Sequence, residues 1–384
     1  MTRVGVVGGG IIGLSIAWRL AARGVGVTVY DPAPGGGASH VAAGMLAPVG
    51  EAYQEEPDLV ALMRESARRW PEFAAALSEE SGIDVGYRAD GALVVARTED
   101  DFAELTRLVR WQAERGLVAQ PLRASELRAR EPRLSPRLRG GAFVAEDHQV
   151  DPRRVVRALR AVLPGLGVRV VGGAVTDLST VDHEVVVVAA GCASADLAGV
   201  PVRPVKGQLL RLRGPVALGT MIRGYADGRA IYLVPRADGE VVVGATNEER
   251  RDATVTAGAV LELLRGAVDL VPDLAEHELV ETQVGFRPGT PDNAPIVGTA
   301  RPGVLVATGH YRNGVLLAPV TAEAVADLVT GGGPDADLVK PFAPDRFSTA
   351  ATGSGATPGR AADGVGRGGG AGDRTLEGSR GRTW

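Results

Sequence analysis

The chain has one cysteine, Cys192, and five histidines scattered along 384 residues. A lone thiol excludes an internal disulfide and suits a reducing compartment, so a cytoplasmic protein is expected. Neither residue type recurs at ligand spacing, which argues against a metal centre. An excess of one charge is also lacking: 42 basic against 46 acidic residues leave a net −4, spread along the chain. That is no footprint for nucleic acid or an anionic membrane surface. Long apolar runs are scarce too, and the nearest approach to a membrane span is the stretch after Arg3. It imitates a secretory signal, yet it carries Trp18 and Arg19 and leads straight into a second strand. With 45% apolar residues, an ordinary globular composition remains, enough for two domains or one composite one.

That first stretch is the richest in information. Val4 to Val7 reads as a buried strand, and Gly8, Gly10 and Gly13 follow in G-x-G-x-x-G spacing. Ile12, Ile16, Ala17 and Leu20 then recur at helical period, with Gly24 placed to close the helix. Val25 to Tyr30 returns to strand character and Asp31 ends it. Strand, glycines, helix, strand and acid in that order form the dinucleotide-binding unit. The glycines allow a tight turn, close approach to a pyrophosphate and close helix packing, while the acid reaches ribose hydroxyls and disfavours a 2′-phosphate.

The loop Pro32 to Gly37 leads into the small-residue segment Ala38 to Pro48, which suits either backbone against a flat ligand or a flexible loop. Leu59 to Leu77 is helical, with Pro71 expected to kink or restart it. A turn at Asp90-Gly91 precedes a strand up to Arg97, and an amphipathic helix spans Glu99 to Arg115. Asp151-Pro152 starts another helix, and Asp182 to Ala190 is a strand apolar on both faces. Cys192 just after it reads as a small apolar residue, not a nucleophile. Between Pro201 and Pro288 the runs QLLRLRG, AIYLVPR and EVVVGAT indicate an antiparallel sheet inserted into the first domain. A strand Val304 to Thr308, the loop GHYRNG and a helix Val315 to Val329 complete the nucleotide domain. From Asp345 the chain has almost no large apolar residue and is expected to be disordered.

Arg287 stands between Phe286 and Pro288, where a planar cation suits a substrate carboxylate or a structural salt bridge. Tyr232 suits a substrate contact or strand packing, and Arg312 a site loop or the surface.

Several strings together resemble a known family: VGGGIIG at Val7 to Gly13, AAGML at Ala42 to Leu46, VKGQ at Val205 to Gln208, YLVPR at Tyr232 to Arg236, GFRPGTPDNAPIVG at Gly285 to Gly298, and GHYRNGVLLAPVTA at Gly309 to Ala322. The family is that of the FAD-dependent amine oxidases, which includes D-amino acid oxidase and monomeric sarcosine oxidase. Within it the chain looks most like the glycine oxidases of thiamine biosynthesis, over residues 3–345. The resemblance implies an α/β fold, a Rossmann-type FAD-binding domain with an inserted, mainly antiparallel β-sheet substrate domain (α+β). The expected FAD-binding part is 1–85 with 140–200 and 286–344, the substrate part 86–139 with 201–285, and the tail 345–384.

By the same resemblance, FAD is held without a covalent link. Gly8, Gly10, Ile11, Ile12, Gly13 and Asp31 would hold its ADP part, and Val175 its adenine. Ser39, Gly44, Met45 and Leu46 would run beside the flavin, with His310, Tyr311, Arg312, Asn313, Gly314, Val315 and Leu316 along the ring's pyrimidine edge. Arg287 would bind the substrate carboxylate, with Tyr232, Arg312 and Met45 beside it. Ala230 and Asn247 depart from the family pattern and leave the preferred amine open. The implied reaction oxidises glycine or a similar small amino acid to the imine and reduces dioxygen to hydrogen peroxide, feeding thiamine thiazole synthesis, with no side chain as general base. The implied partners are the amine and dioxygen, without nucleic acid or membrane, and a homo-oligomer is compatible. A D-amino acid dehydrogenase or a sarcosine-type oxidase of the same fold remains open. So, from other classes, does an NAD-binding reductase or a non-catalytic nucleotide-binding protein.

Overall fold

Short valine-rich runs, buried at the centre and exposed at the Arg169–Val171 edge, form a six-stranded sheet in the computed structural model, which describes residues 2–53, 56–215, 217–226 and 228–351. The strand order is Ile296–Arg301, Val304–Thr308, Val185–Val188, Arg3–Val7, Gly26–Tyr30, Arg169–Val171. All neighbours are parallel except the edge strand Ile296–Arg301. From Arg3–Val7 the chain passes first to Gly26–Tyr30 on one side and later to Val185–Val188 on the other. The crevice beyond the carboxyl end of the first strand is therefore the switch point at which such sheets bind ligands. The helix Ile11–Ala22 makes the first crossover, and Gly24 follows its C-cap at φ +78°.

Helix Pro57–Ser81 packs in the same core through Trp70, Phe73 and Leu77, beside Trp18. Pro71 sits inside this helix, which runs through it unbroken, so of the kink or restart expected there the restart does not occur. The lost hydrogen bond and ring clash cost roughly 3 kcal/mol. Burial of Trp70 and Phe73 on either side, at about 1.5–3 kcal/mol for each large apolar side chain, outweighs that.

The second sheet has eight strands, in the order Glu278–Gly289, Arg203–Arg213, Glu240–Gly244, Arg229–Pro235, Met221–Ala226, Ala92–Ala96, Gly140–Val144, Gln120–Arg123. Only Met221–Ala226 and Ala92–Ala96 pair in parallel. Helix Ala257–Leu270 packs against it, burying Leu263, Ala267 and Leu270 with Leu210, Ile222 and Leu233. The architecture is thus α/β, a Rossmann-type sheet with an inserted, mainly antiparallel one. Among the described residues no helix is long and apolar enough to cross a membrane.

Several boundaries differ from the sequence expectation, and one is the division at 285/286, which strand Glu278–Gly289 crosses with Arg287 paired to Val205 in the eight-stranded sheet. Gly140–Val144, assigned to the nucleotide part, pairs into the eight-stranded sheet, where a Cβ on Gly141 would meet the Val94 carbonyl oxygen at 2.2 Å. Its glycines serve close strand approach, which hides the strand pattern. The last long helix is Ala318–Thr330, three residues later than Val315, because Val315 to Leu317 belong to a turn closed by Leu317 N donating to Asn313 O at 2.8 Å. Finally, Pro344–Ala351 forms a 3-10 helix where disorder was expected. Arg346 Nε pairs with Asp292 Oδ2 at 2.9 Å, and Phe347 packs on the cluster around Val7, Val188 and Ile296. The rest of the expected tail, residues 352–384, lies outside the described residues.

Candidate active site

Residues from both sheets line one cavity of about 800 Å³. At its nucleotide end the backbone is bare by necessity. Gly8 stands at φ +115°, where a Cβ would meet the Ala189 carbonyl oxygen at 2.3 Å. Gly10 is the N-cap of helix Ile11–Ala22 and has no side chain to satisfy its first amides. Ser39 Oγ accepts from Ile11 N at 2.9 Å, and the rest of the first turn stays uncapped by Gly10. Asp31 accepts from Gly9 N at 2.6 Å and from Ala33 N at 2.7 Å, tying the glycine turn to the loop after the second strand. Two of about four carboxylate acceptor sites are thereby used, which leaves capacity for a hydroxyl. Val175, Ile11 and Ile12 also line the cavity.

Bare glycines, an uncapped helix N-terminus, an acid at the strand end and a cavity of this size fit a flavin dinucleotide. Gly13 is not in the lining. A Cβ there would meet the Gly8 carbonyl oxygen at 1.9 Å, so its role is to let the helix pack on the turn.

The small-residue segment is pinned and not free. Gly44, at φ +82°, leaves no room for a Cβ, which would lie 2.0 Å from the Val150 carbonyl oxygen. Arg236 clamps the segment: Nη2 donates to Ala43 O, and Nη1 donates to Val150 O at 3.1 Å and Gln149 Oε1 at 3.3 Å. Burial of this guanidinium lowers its pKa to about 10. Met45 pairs with Gln149 and faces the cavity, whereas Leu46 is core.

The loop after Val304–Thr308 supplies His310 through Val315 to the lining. His310 is buried with Nε2 3.1 Å from Thr321 Oγ1, and desolvation pushes its pKa down to about 3, so it is a neutral, positioned ring. Arg312 Nη2 donates to Tyr311 Oη at 3.2 Å, and Tyr311 Oη donates to Asn247 Oδ1 at 3.3 Å. Arg312 is therefore in the cavity and not on the outer surface. Leu316 is outside the lining, where its carbonyl accepts from Ser66 Oγ and Trp70 Nε1.

Arg287 and Tyr232 reach the cavity from neighbouring parts of the second sheet, and each rests over a glycine. A Cβ on Gly207 would lie 2.4 Å from Arg287 Nη1, and one on Gly244 would lie 2.3 Å from Tyr232 Oη. Arg287 Nη1 donates to Thr246 O at 3.1 Å, and among the described residues no carboxylate lies within ion-pair distance of this guanidinium. Burial pushes the Tyr232 phenol pKa up, with the Arg287 charge opposing. Ala230 and Asn247 line the same region.

Sequence reasoning missed Glu51, Arg223 and Asp147. Arg223 Nη2 donates to Glu51 Oε1 at 2.7 Å, and both line the cavity. Asp147 accepts from Val49 N and Gly50 N behind them, and desolvation raises its pKa to about 6. The one available signal was Glu51 itself, the first charged side chain after His40 in a run of small and apolar residues. Cys192 also lines the cavity, nearer the site than the sequence implied. Burial holds its thiol up at about 11.

Residues 3–328 match the family described as FAD dependent oxidoreductase. The glycine oxidase of Geobacillus kaustophilus is 35% identical over 350 residues, 85% of this chain and 92% of that one. Its crystal structure superposes with a TM-score of 0.84 at 34% identity, covering 90% of this chain and 100% of that one. The bifunctional protein ThiO/ThiG of Trichormus variabilis is 35% identical over 349 residues, 86% of this chain. The chain spans about half, 53%, of that bifunctional relative's length.

Proposed function

This chain belongs to the FAD dependent oxidoreductase family, and from that premise we propose that it oxidises a small α-amino acid, glycine first, to the imine, with dioxygen reduced to hydrogen peroxide. The observation that carries the substrate class is Arg287. It is a guanidinium in the cavity, flat against Gly207, with no carboxylate partner among the described residues. A half-buried cation so placed is stabilised by an anion brought in from outside, and its planar fork matches a carboxylate.

FAD, when bound, would supply what no side chain here can, acceptance of the two electrons of the substrate's Cα–H bond and their delivery to dioxygen, the nitrogen losing a proton as the Cα–N bond becomes double. The chain's contribution is orientation and a dry site. Arg287 fixes the carboxylate, Tyr232 beside it supplies a phenol that burial keeps protonated, and the backbone of Gly44 and Met45 forms a side-chain-poor wall. His310 is held neutral by burial and bonded to Thr321, which suits a positioning role and not proton transfer. Cys192 stays a thiol at neutral pH, which supports a non-covalent cofactor. The same reading takes the cytoplasm as compartment and supply of the imine to thiamine thiazole synthesis as role.

Purified yellow protein should release peroxide with glycine, and the assay is run against sarcosine and a panel of D-amino acids. Reduction of an artificial acceptor without peroxide would identify a dehydrogenase. A colourless protein inert to every amine would refute the reading altogether.

A further inference from the structure

The string Val205 to Gln208 meets Arg287 on one side and a loop on the other. Val205 pairs with Arg287 across the strands, and Gly207 lies under the guanidinium. Lys206 and Gln208 bind the chain that follows strand Glu240–Gly244. Lys206 exchanges both backbone hydrogen bonds with Glu248, at 2.9 Å each. Its fully buried ammonium donates to Thr254 O at 2.7 Å and to Asp252 Oδ1 at 2.9 Å. Gln208 Oε1 accepts from Thr256 N at 2.8 Å. Residues 246–256 are thereby tied at several points to two side chains of one strand.

Thr246 is held most closely. Its N donates to Gln208 O at 3.2 Å, while its Oγ1 accepts from Gln208 N at 2.9 Å and donates to Glu248 Oε1 at 2.6 Å. The same Glu248 oxygen accepts from Gln208 Nε2 at 2.7 Å, so one carboxylate oxygen ties the Thr246 hydroxyl to the strand. The Thr246 carbonyl is then directed at Arg287, accepting from Nη1 at 3.1 Å. Glu248 itself does not line the cavity. A guanidinium on a long side chain has many rotamers, and a fixed acceptor sets the rotation of its fork while using one of its five N–H donors. The Tyr232 phenol is the other group that Arg287 bonds.

Resting on the reading of Arg287 as the carboxylate anchor, the geometry points to Glu248 as a positioning residue for it. Through Thr246, this carboxylate holds the acceptor that aims the guanidinium before substrate arrives. Arg287 then binds with part of its ordering already done, which lowers KM and leaves the chemical step alone.

The test uses the flavin-loaded protein. KM and kcat for glycine come from peroxide release, and the dissociation constant of acetate from the change in flavin absorbance. Glu248→Ala releases the Thr246 hydroxyl and leaves Lys206 its partner Asp252. It should raise KM for glycine and the dissociation constant of acetate by the same factor, roughly three- to tenfold, the cost of ordering one long side chain at binding. Flavin content and kcat should stay as in wild type. Glu248→Gln keeps an oxygen for the Thr246 hydroxyl and should restore most of the loss. In an Arg287→Ala background, Glu248→Ala should lower kcat/KM no further, because its effect passes through the guanidinium. A loss that persists in that background, or a fall in kcat with KM unchanged, marks a merely structural role and overturns the assignment. Should Glu248→Ala lose flavin, Thr246→Val cuts the same tie from the other side. The same shift is required of it, the same silence beside Arg287→Ala, and rescue by Thr246→Ser. Wild-type protein that neither oxidises glycine nor binds acetate overturns the functional reading and this inference with it. Wild type that does both beside an unaffected variant overturns this inference alone.

Discussion

Arg287→Ala is the perturbation that bears most directly on substrate class. Within the chain the guanidinium hydrogen-bonds Thr246 O at 3.1 Å and the Tyr232 phenol, and it has no carboxylate partner among the described residues. Its removal therefore breaks little that holds the fold, and the melting temperature should stay level or rise slightly. With substrate present the balance changes. Two charge-assisted hydrogen bonds to a carboxylate are lost and that carboxylate is left unpaired in a cavity, at a cost of roughly 3–5 kcal/mol. At about 1.36 kcal/mol per tenfold, kcat/KM should fall by a factor of order a hundred to several thousand. Arg287→Lys should recover only part, since an ammonium has no fork. Gly207→Ala gives an independent handle, because its Cβ would lie 2.4 Å from Arg287 Nη1 and must push the guanidinium aside. It should raise KM without altering the charge of the site. Peroxide-release kinetics decide the matter, with flavin content measured in each variant. If Arg287→Ala keeps near-normal kcat/KM at normal flavin content, the carboxylate is held elsewhere and the argument fails.

The remaining expectations concern cofactor, pH and chain end. Gly44→Ala combines a left-handed φ of +82° with a Cβ 2.0 Å from a backbone oxygen, so the segment must move and flavin should be lost on dialysis. Asp147 has its pKa raised to about 6, against 3.8 when unperturbed, so between those pH values the folded chain binds a proton that the unfolded chain does not. Its contribution is full below pH 3.8 and is lost as pH rises through 6, up to about 3 kcal/mol. His310, lowered to about 3, acts in the opposite direction, losing stability as pH falls below its usual value. The melting temperature of wild type relative to Asp147→Asn therefore isolates the first effect, and it should decline from pH 4 to 6.5; a flat difference would refute it. Truncation after Pro344 should lower the melting temperature, because it removes the Arg346–Asp292 pair and the packing of Phe347. An unchanged melting curve would show that this segment adds nothing.

The nucleotide half was legible because its physics is local. Val4 to Val7, the three glycines and Asp31 lie within 28 residues, and Gly8 and Gly13 are each required by a backbone contact, to Ala189 O and to Gly8 O. The strand Glu278–Gly289 left no such trace. Its exposed and half-buried residues do not alternate, because it lies at the edge of its sheet and serves the cavity at one end. Gly140–Val144 was hidden for a related reason, Gly141 being spent on close approach to Val94 and Gly140 on close approach to Phe102. Pro344–Ala351 is ordered by two residues, Arg346 and Phe347, whose partners lie far back in the chain, so composition alone could not reveal it.

The same division governs the site. Lys206, Arg211, Arg223 and Arg287 stand in strands of the second sheet and Arg236 directly follows one, all amid apolar neighbours, and in sequence they look alike. Each announces a charge that needs a partner, but the partner is chosen by the fold. Lys206 finds Asp252 at 2.9 Å, Arg211 finds Glu240, and Arg223 finds Glu51, 172 residues away. Arg236 is satisfied by carbonyl oxygens of the segments that it clamps. Arg287 alone among the five has neither a carboxylate nor more than a single carbonyl in reach among the described residues. A cation left over after the chain has paired the others is where we propose that a ligand anion docks. That leftover, set against the four cations whose partners the fold supplies, is what carries the proposal that the cavity takes an amino acid.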